Sequence, residues 1–188
     1  MNIKPTGIYI FSTDTVYGLG TSLSNEAGIE KLFKIKGRSF KNPMAVLVAN
    51  LEQADALVEW PTPLYRDPLK QLWPGGLTAV VPSQKHVSLR VRAGFQTLGV
   101  RCPKHPELLK LLLEHGPFVA TSANRAGLEP LSDEVQIRAE FQNEVDDFLF
   151  FDPKPNGLAS TVVDLTVVPP KILRQGPESI ALFEEFVV

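Results

Sequence analysis

Short apolar segments that alternate with amphipathic ones constrain this fold more than any other feature of the 188-residue sequence. The first of them, Gly7–Phe11, reads GIYIF and ends in Ser-Thr-Asp-Thr, which is typical of a buried strand followed by a polar loop. Similar segments follow at Met44–Ala49, Leu77–Val81, Thr97–Cys102, Phe118–Thr121, Phe148–Phe151, Thr161–Leu165 and Ile172–Arg174. No segment repeats, and no shift in composition marks a boundary. The pattern predicts one α/β domain over residues 1–188, built on a mixed β-sheet flanked by helices.

Segments with helical spacing lie between these strands. The first has apolar residues at i, i+3 and i+4, with Ser24 as its predicted N-cap and Gly37 as the residue that ends it. Further helices are predicted at Pro106–His115 and from Ser132 to about Phe141. The 16 prolines are dispersed along the chain rather than clustered, which indicates many short elements joined by turns.

Charge and residue usage narrow the classes of function. Lys and Arg number 19 against 21 Asp and Glu, whereas proteins that coat nucleic acid usually carry a basic surplus. The single cysteine, Cys102, cannot form an internal disulfide, and the three histidines have no zinc-ligand spacing. The longest apolar runs are far shorter than the ~20 residues of a membrane helix. These features predict a cytoplasmic protein with no membrane partner and no metal held by its own side chains.

Polar clusters that follow the strands are the candidate sites, because open α/β sheets bind ligands at strand ends. The sequence contains no P-loop, and Gly18-Leu19-Gly20 lacks the third glycine of a dinucleotide fingerprint. The hydroxyl-rich segment Ser12–Gly20 can be a plain turn or a loop that faces a polar ligand. Thr121–Asn124 offers two hydroxyls and an amide that suit a phosphate or nucleotide, with a turn as the alternative.

Four cations stand near the ends of predicted elements. A helix that ends at Gly37 allows Lys36 and Arg38 to point into one pocket, although cations are also favoured at helix C-termini. Arg101 and Arg174 lie near strand ends among apolar residues, where an arginine recognises an anion or forms a salt bridge.

Taken in order, these clusters resemble the YrdC/TsaC family of threonylcarbamoyl-AMP synthases. The resemblance rests on STDTVYGLG (12–20), KIKGR (34–38), KNPMAVLV (41–48), WPGGLTAVV (73–81), LGVRCPKHP (98–106), TSANRAG (121–127), STVVDLT (160–166) and ILRQG (172–176). It implies a YrdC-like single domain with a twisted mixed sheet and a concave ligand-binding surface. Family members usually begin with a helix before the first strand, and only six residues precede Gly7, so we expect that helix to be missing. Some relatives carry a histidine where Leu47 stands.

The resemblance also implies a reaction. The family makes threonylcarbamoyl-adenylate and pyrophosphate from L-threonine, bicarbonate and ATP, and partner proteins transfer the threonylcarbamoyl group to a tRNA adenosine next to the anticodon. ATP is then a substrate, with Mg²⁺ held by its phosphates, and no tightly bound organic cofactor is expected. The alternative is a non-catalytic RNA-binding module of the same fold, and weak tRNA binding is compatible with either function.

The family's K-x-R and S-x-N motifs are matched here, and the resemblance assigns site residues position by position. The implied catalytic residues are Lys36, Arg38, Ser122 and Asn124. Those implied for ATP are Arg38, Asn42, Thr97, Ser122 and Arg174. Those implied for threonine are Thr15, Arg101, Thr121 and Ser160.

Overall fold

A computed structural model describes residues 3–37 and 42–184 of the protein. Within these ranges, nine strands form one sheet in the order β7-β1-β2-β6-β3-β5-β4-β8-β9. The strands are β1 (Ile8–Phe11), β2 (Gly18–Ser22), β3 (Ala45–Leu47), β4 (Leu77–Pro82), β5 (Thr97–Arg101), β6 (Phe118–Ser122), β7 (Asp147–Leu149), β8 (Thr161–Asp164) and β9 (Lys171–Arg174). Three neighbouring pairs, β1 with β7, β3 with β5 and β4 with β8, are parallel, and the other five are antiparallel. The α/β fold with a mixed sheet is therefore confirmed.

Seven helices accompany the sheet in the described part of the chain. They are α1 (Glu26–Lys36), α2 (Leu51–Asp55), α3 (Pro63–Arg66), α4 (Leu69–Leu72), α5 (Pro106–His115), α6 (Glu134–Phe141) and α7 (Ala181–Glu184). None of these helices is long and apolar enough to cross a membrane.

The two faces of the sheet build two hydrophobic clusters, because successive side chains of a strand point to opposite faces. The larger cluster packs strand residues against α1 and α6: Ile8, Ile10, Val46, Val119, Ile29, Leu32, Ile137 and Phe141. The smaller cluster packs the alternate strand residues against α5: Tyr9, Phe11, Leu47, Phe118, Leu108, Leu111 and Leu112. The α5 face therefore has the smaller apolar core, and it is the face on which a cleft lies.

The N-cap of α1 is Asn25, so the prediction of Ser24 is wrong. The Asn25 side chain accepts a hydrogen bond from Gly28 N at 3.0 Å and donates to Thr6 O at 2.9 Å. Ser24 Oγ instead lies 3.0 Å from Ser22 Oγ. Tertiary contacts to Asn25, which the local sequence does not show, decide between two adjacent capping residues. Gly37 ends the helix as predicted, in the left-handed conformation with φ 63°.

Two further boundaries differ from the sequence-based expectation. Asp133, not Ser132, caps α6 and accepts from Gln136 N at 2.9 Å. The polar loop after β1 is shorter than Ser12–Gly20, because Gly18–Ser22 forms β2. Glycines weaken a strand on their own, and β2 forms because β1 and β6 pair with it on both sides.

Candidate active site

A cleft of about 380 Å³ opens on the face of the sheet that carries α5. Leu47 and Ala120 belong both to the α5 cluster and to the cleft wall, so the cleft lies beside that helix. Alternate residues of three strands line it, as the two-residue period requires: Ala45 and Leu47 in β3, Thr78 and Val80 in β4, and Thr97, Gly99 and Arg101 in β5. Two further strands contribute consecutive residues, Ala120, Thr121 and Ser122 in β6 and Leu173 and Arg174 in β9.

The floor of the cleft consists of small residues on adjacent strands. Ala45 pairs with Gly99 of β5 on one side and with Ala120 of β6 on the other. A Cβ added to Gly99 would meet its nearest neighbour, the Thr78 side chain, at 3.6 Å, an ordinary contact distance. Packing of the protein therefore does not require glycine at position 99. A glycine in a strand often marks the close approach of a ligand.

Arg101 lies at the end of β5 and is only 6% exposed. Its Nη1 donates to Thr15 Oγ1 at 2.7 Å, its Nη2 to Asp14 Oδ1 at 2.5 Å, and its Nε to Gly75 O at 3.0 Å. Burial lowers the pKa of Arg101; the Asp14 charge opposes this shift and the Arg174 charge adds to it. A guanidinium stays protonated at neutral pH even so. The site thus holds a fixed, buried positive charge.

The loop after β1 supplies hydroxyl groups next to this cation. Thr13 Oγ1 lies 3.0 Å from Thr15 Oγ1 and donates to Val16 O at 2.7 Å. The backbone of this loop is held from outside, since Asn156 N donates to Asp14 O and Gly157 N donates to Thr15 O. Of the two interpretations of the Ser12–Gly20 segment, the structure favours a loop that faces a polar ligand, because Thr13 and Thr15 line the cleft.

A second polar group surrounds Ser160, just before β8. Arg174 Nε donates to Ser160 O at 2.9 Å, and Arg174 Nη2 donates to Ser160 Oγ at 2.9 Å. Ser160 Oγ also lies 2.9 Å from Thr78 Oγ1 of the adjacent strand β4. The bulge between Val162 and Val163 in the pairing of β8 with β9 lies beside this group. Hydroxyls and a cation therefore converge on a second wall of the cleft.

Lys36, Ser122 and Asn124 come together although 86 residues of chain separate Lys36 from Ser122. Lys36 Nζ donates to Ser122 O at 2.7 Å, to Ser122 Oγ at 3.2 Å and to Asn124 Oδ1. Ser122 Oγ donates to the same Asn124 oxygen at 2.6 Å. Lys36 is 3% exposed, and of the three residues only Ser122 lines the cleft. The ammonium thus lies directly behind the cleft wall at Ser122.

The remaining sequence-based candidates are placed as follows. Thr97 and Thr121 line the cleft. Asn42 is exposed and precedes Pro43, which is a lining residue. Arg38 lies outside the described residues.

Three polar residues of the site were missed from the sequence. Thr13 and Asp14 belong to the quoted Ser-Thr-Asp-Thr motif, and a lone carboxylate beside hydroxyls was the available signal. Thr78 sits inside an apolar strand and gives no such signal. In the described part of the chain no group of three or more His, Cys, Asp or Glu side chains could hold a metal ion. Cys102, next to Arg101, is 1% exposed, and burial raises the pKa of its thiol to about 12.

The family model of the Sua5/YciO/YrdC domain, described as telomere recombination, matches residues 2–176. The chain belongs to the Sua5/YciO/YrdC family. This match confirms the resemblance found from the motifs, over 175 consecutive residues.

Members of the Sua5/YciO/YrdC family with curated names resemble this chain over most of its length. It is 33% identical over 175 residues to a protein of Pyrococcus abyssi and 31% identical over 176 residues to one of Bacillus subtilis, both named threonylcarbamoyl-AMP synthase. Each alignment covers 93% of this chain, which spans about half the length of these relatives, 52% and 51%.

Among solved structures, P. abyssi Sua5 complexed with L-threonine superposes with a TM-score of 0.88 at 31% identity. That superposition covers 96% of this chain and 53% of the relative. The relative shares the fold of this chain and carries L-threonine in its crystal structure.

Proposed function

We propose that this protein is a threonylcarbamoyl-AMP synthase, which forms threonylcarbamoyl-adenylate and pyrophosphate from L-threonine, bicarbonate and ATP. The observation that carries the proposal is the cluster of Lys36, Ser122 and Asn124, which meet behind the wall of a cleft that Arg101 also lines. Its members match the family's K-x-R and S-x-N motifs. The names of the curated relatives support the same activity.

We assign the threonine end of the cleft to Arg101 and its neighbours. The guanidinium of Arg101 suits a carboxylate, because planar N–H pairs match carboxylate oxygens. Thr15, Thr121 and Ser160 would contact the polar groups of threonine, and Leu47 gives this end an apolar wall. The L-threonine in the P. abyssi relative supports this assignment.

We assign the nucleotide end to Ser122, Thr97 and Arg174, with Asn42 and Arg38 completing the set. Hydroxyl donors and guanidinium groups suit phosphate oxygens. Asp14, a carboxylate at the Arg101 end, already binds that arginine. Mg²⁺ would therefore be held by triphosphate oxygens and water, as is usual for this ion in nucleotide sites.

The proposed chemistry has two steps. The threonine amine first attacks the carbon of bicarbonate, so that an N–C bond forms and water leaves, giving a carbamate. A carbamate oxygen then attacks the α-phosphorus in line, an O–P bond forms, and the bond to the bridging oxygen breaks with release of pyrophosphate. Charge accumulates on phosphate oxygens, so the protein contributes mainly positioning and electrostatic stabilisation. Lys36 would supply charge at Ser122, next to the phosphates.

Partner proteins would then take the adenylate and transfer its threonylcarbamoyl group to tRNA. The competing function, a non-catalytic RNA-binding module, predicts a broad basic surface. The sequence has a net charge of -2, and Arg101 and Arg174 both line one cleft, which supports the enzyme.

Pyrophosphate release from ATP and bicarbonate, measured with and without L-threonine, tests the proposal. We expect release to depend on threonine and to fall ~100-fold or more in Lys36→Met, since loss of one such charge donor has effects of this size. Equal release without threonine would overturn the substrate assignment. No release at all, together with salt-sensitive binding of tRNA, would favour the RNA-binding module.

A further inference from the structure

Arg125 follows Asn124 in the chain, but its guanidinium contacts α6 and α1 rather than the cleft. Its Nε donates to Glu140 Oε1 at 2.5 Å, and its Nη2 donates to Glu144 Oε1 and to Glu140 O at 3.3 Å. Its Nη1 donates to Ile35 O at 2.5 Å and to Glu144 Oε2 at 3.2 Å. An arginine has five N–H groups, and these five contacts use them all. Arg125 therefore has no donor left for a substrate.

The contact with Ile35 O reaches the last turn of α1, one residue before Lys36. The next residue of the loop, Ala126, donates its N–H to Lys36 O at 2.8 Å. Two consecutive carbonyls of the α1 C-terminus are thus bound by two consecutive residues, 125 and 126. Such carbonyls have no partner within a helix, and a cation there is favoured by the helix dipole.

The same loop carries the partners of the Lys36 ammonium. Ser122 and Asn124 receive its hydrogen bonds, and Asn124 Nδ2 donates to Arg125 O at 3.1 Å. The main chain of Lys36 and its side chain are therefore both held by residues 122–126. The loop in turn is fixed to α6 through Glu140 and to the turn after α6 through Glu144, and the Arg125 guanidinium stacks on Phe141, the last residue of α6, at 4.9 Å.

We propose that Arg125 is a positioning residue that clamps the C-terminal turn of α1 to α6 and so holds Lys36 Nζ at Ser122 and Asn124. The catalytic consequence rests on the proposed function, whereas the placement of Lys36 does not. An arginine is required because its planar guanidinium group binds both glutamates and a carbonyl at once, which a lysine ammonium cannot do. The clamp is specific to the α1 end of the site and leaves the contacts of Arg101 unaffected.

Chemical labelling of lysines in the folded protein tests the placement directly. Lys36 is 3% exposed, so acetic anhydride should modify it slowly relative to Lys154, whose side chain is 67% exposed. In Arg125→Gln we expect labelling of Lys36, quantified by peptide mass spectrometry against Lys154, to rise ~10-fold because the turn opens locally. Arg125→Lys should give an intermediate value.

Arg66→Gln is the matched control. Arg66 forms a bidentate pair with Asp55 at 2.9 and 2.7 Å, and its side chain is 28% exposed against 32% for Arg125. This pair lies away from the cleft lining, so its loss should leave labelling of Lys36 unchanged. An equal rise in both variants would show general loosening and would overturn the proposal.

Steady-state kinetics of Arg125→Gln distinguish a positioning role of Arg125 from a purely structural one. Misplacement of a charge by ~1 Å can cost ~100-fold in rate, so kcat of Arg125→Gln should fall by about this factor while KM for threonine stays the same. Should this variant fail to fold, Glu140→Gln combined with Glu144→Gln weakens the clamp from its other side. Unchanged labelling of Lys36 in a folded variant of either kind refutes the clamp. If the wild type releases no pyrophosphate, the proposed function fails. The labelling of Lys36 would still test whether Arg125 holds this lysine in place.

Discussion

Removal of the Asp14 carboxylate should destabilise the protein, because it leaves a buried cation without its anionic partner. Asp14 Oδ1 and Arg101 Nη2 are 2.5 Å apart, and the two side chains are 17% and 7% exposed. Burial already lowers the pKa of Arg101, and the nearby charge of Arg174 acts in the same direction. Asp14 is the group that offsets this cost.

The size of the effect follows from the burial of the pair. Loss of one partner of a buried ion pair costs ~3–5 kcal/mol, and we expect the lower end for Asp14→Ala, since Thr15 and Gly75 still accept from Arg101. Asp14→Asn loses the charge but keeps an oxygen that accepts from Arg101, so it should cost less than Asp14→Ala. For a protein of this length, ~3 kcal/mol corresponds to a decrease in Tm of ~6–12 °C.

Urea unfolding followed by circular dichroism measures the loss, with Asp67→Ala as the control. Asp67 also lies 2.5 Å from its partner, Lys70, but these side chains are 54% and 57% exposed. An exposed pair contributes little, so the Asp67→Ala midpoint should match that of the wild type. If the two alanine variants shift the midpoint equally, burial is not what gives the Asp14 pair its importance, and the reasoning is refuted.

Three other predictions concern the cleft and the clamp. In Gly99→Ala the unfolding midpoint should change little, since the added Cβ meets no atom closer than 3.6 Å. Turnover should fall ~10-fold or more, because the methyl group occupies the floor of the cleft, and equal turnover would show that no ligand approaches Gly99. Arg174→Ala should raise KM for ATP ~10-fold, the size of one lost charged hydrogen bond, and a change confined to kcat would contradict the proposed role beside Ser160. The Arg125 guanidinium keeps the pKa of Glu144 below its ordinary 4.5, so this pair stabilises the protein above that pH and the contribution is lost as the pH falls. Glu144→Gln should therefore be less stable than the wild type at neutral pH, and its stability should fall less steeply on acidification.

Local patterns were sufficient for much of the fold. Gly37 ends α1 as expected, because only a residue that tolerates φ 63° can turn the chain there. The apolar runs marked eight of the nine strands in the described residues. The exception, β2, contains two glycines, which have a low intrinsic preference for β-strands. Pairing with β1 and β6 outweighs that low preference.

Part of the candidate site could also be predicted from the sequence. The polar segment after the first apolar run contains Thr15, and Arg101 lies near the end of another such run, whereas Ser160 was assigned through the family resemblance. The structure places all three in one cleft. Asp14 was passed over because its role depends on the burial of Arg101, to which it is bound across 87 residues of chain. Thr78 was missed because a threonine in a strand looks ordinary until Ser160 faces it across a sheet pair.

The chemical groups that this protein brings to its ligand can be predicted from the sequence alone, and the motifs that carry them identify its family. How those groups act together depends on the packing of the chain: Lys36 lies behind Ser122, Asp14 compensates the charge of Arg101, and Arg125 faces α6 instead of the cleft. The physical reason is that hydroxyl, amide and charge content are local properties of a chain. Burial and hydrogen-bond geometry arise only when strands and helices distant in sequence pack against each other.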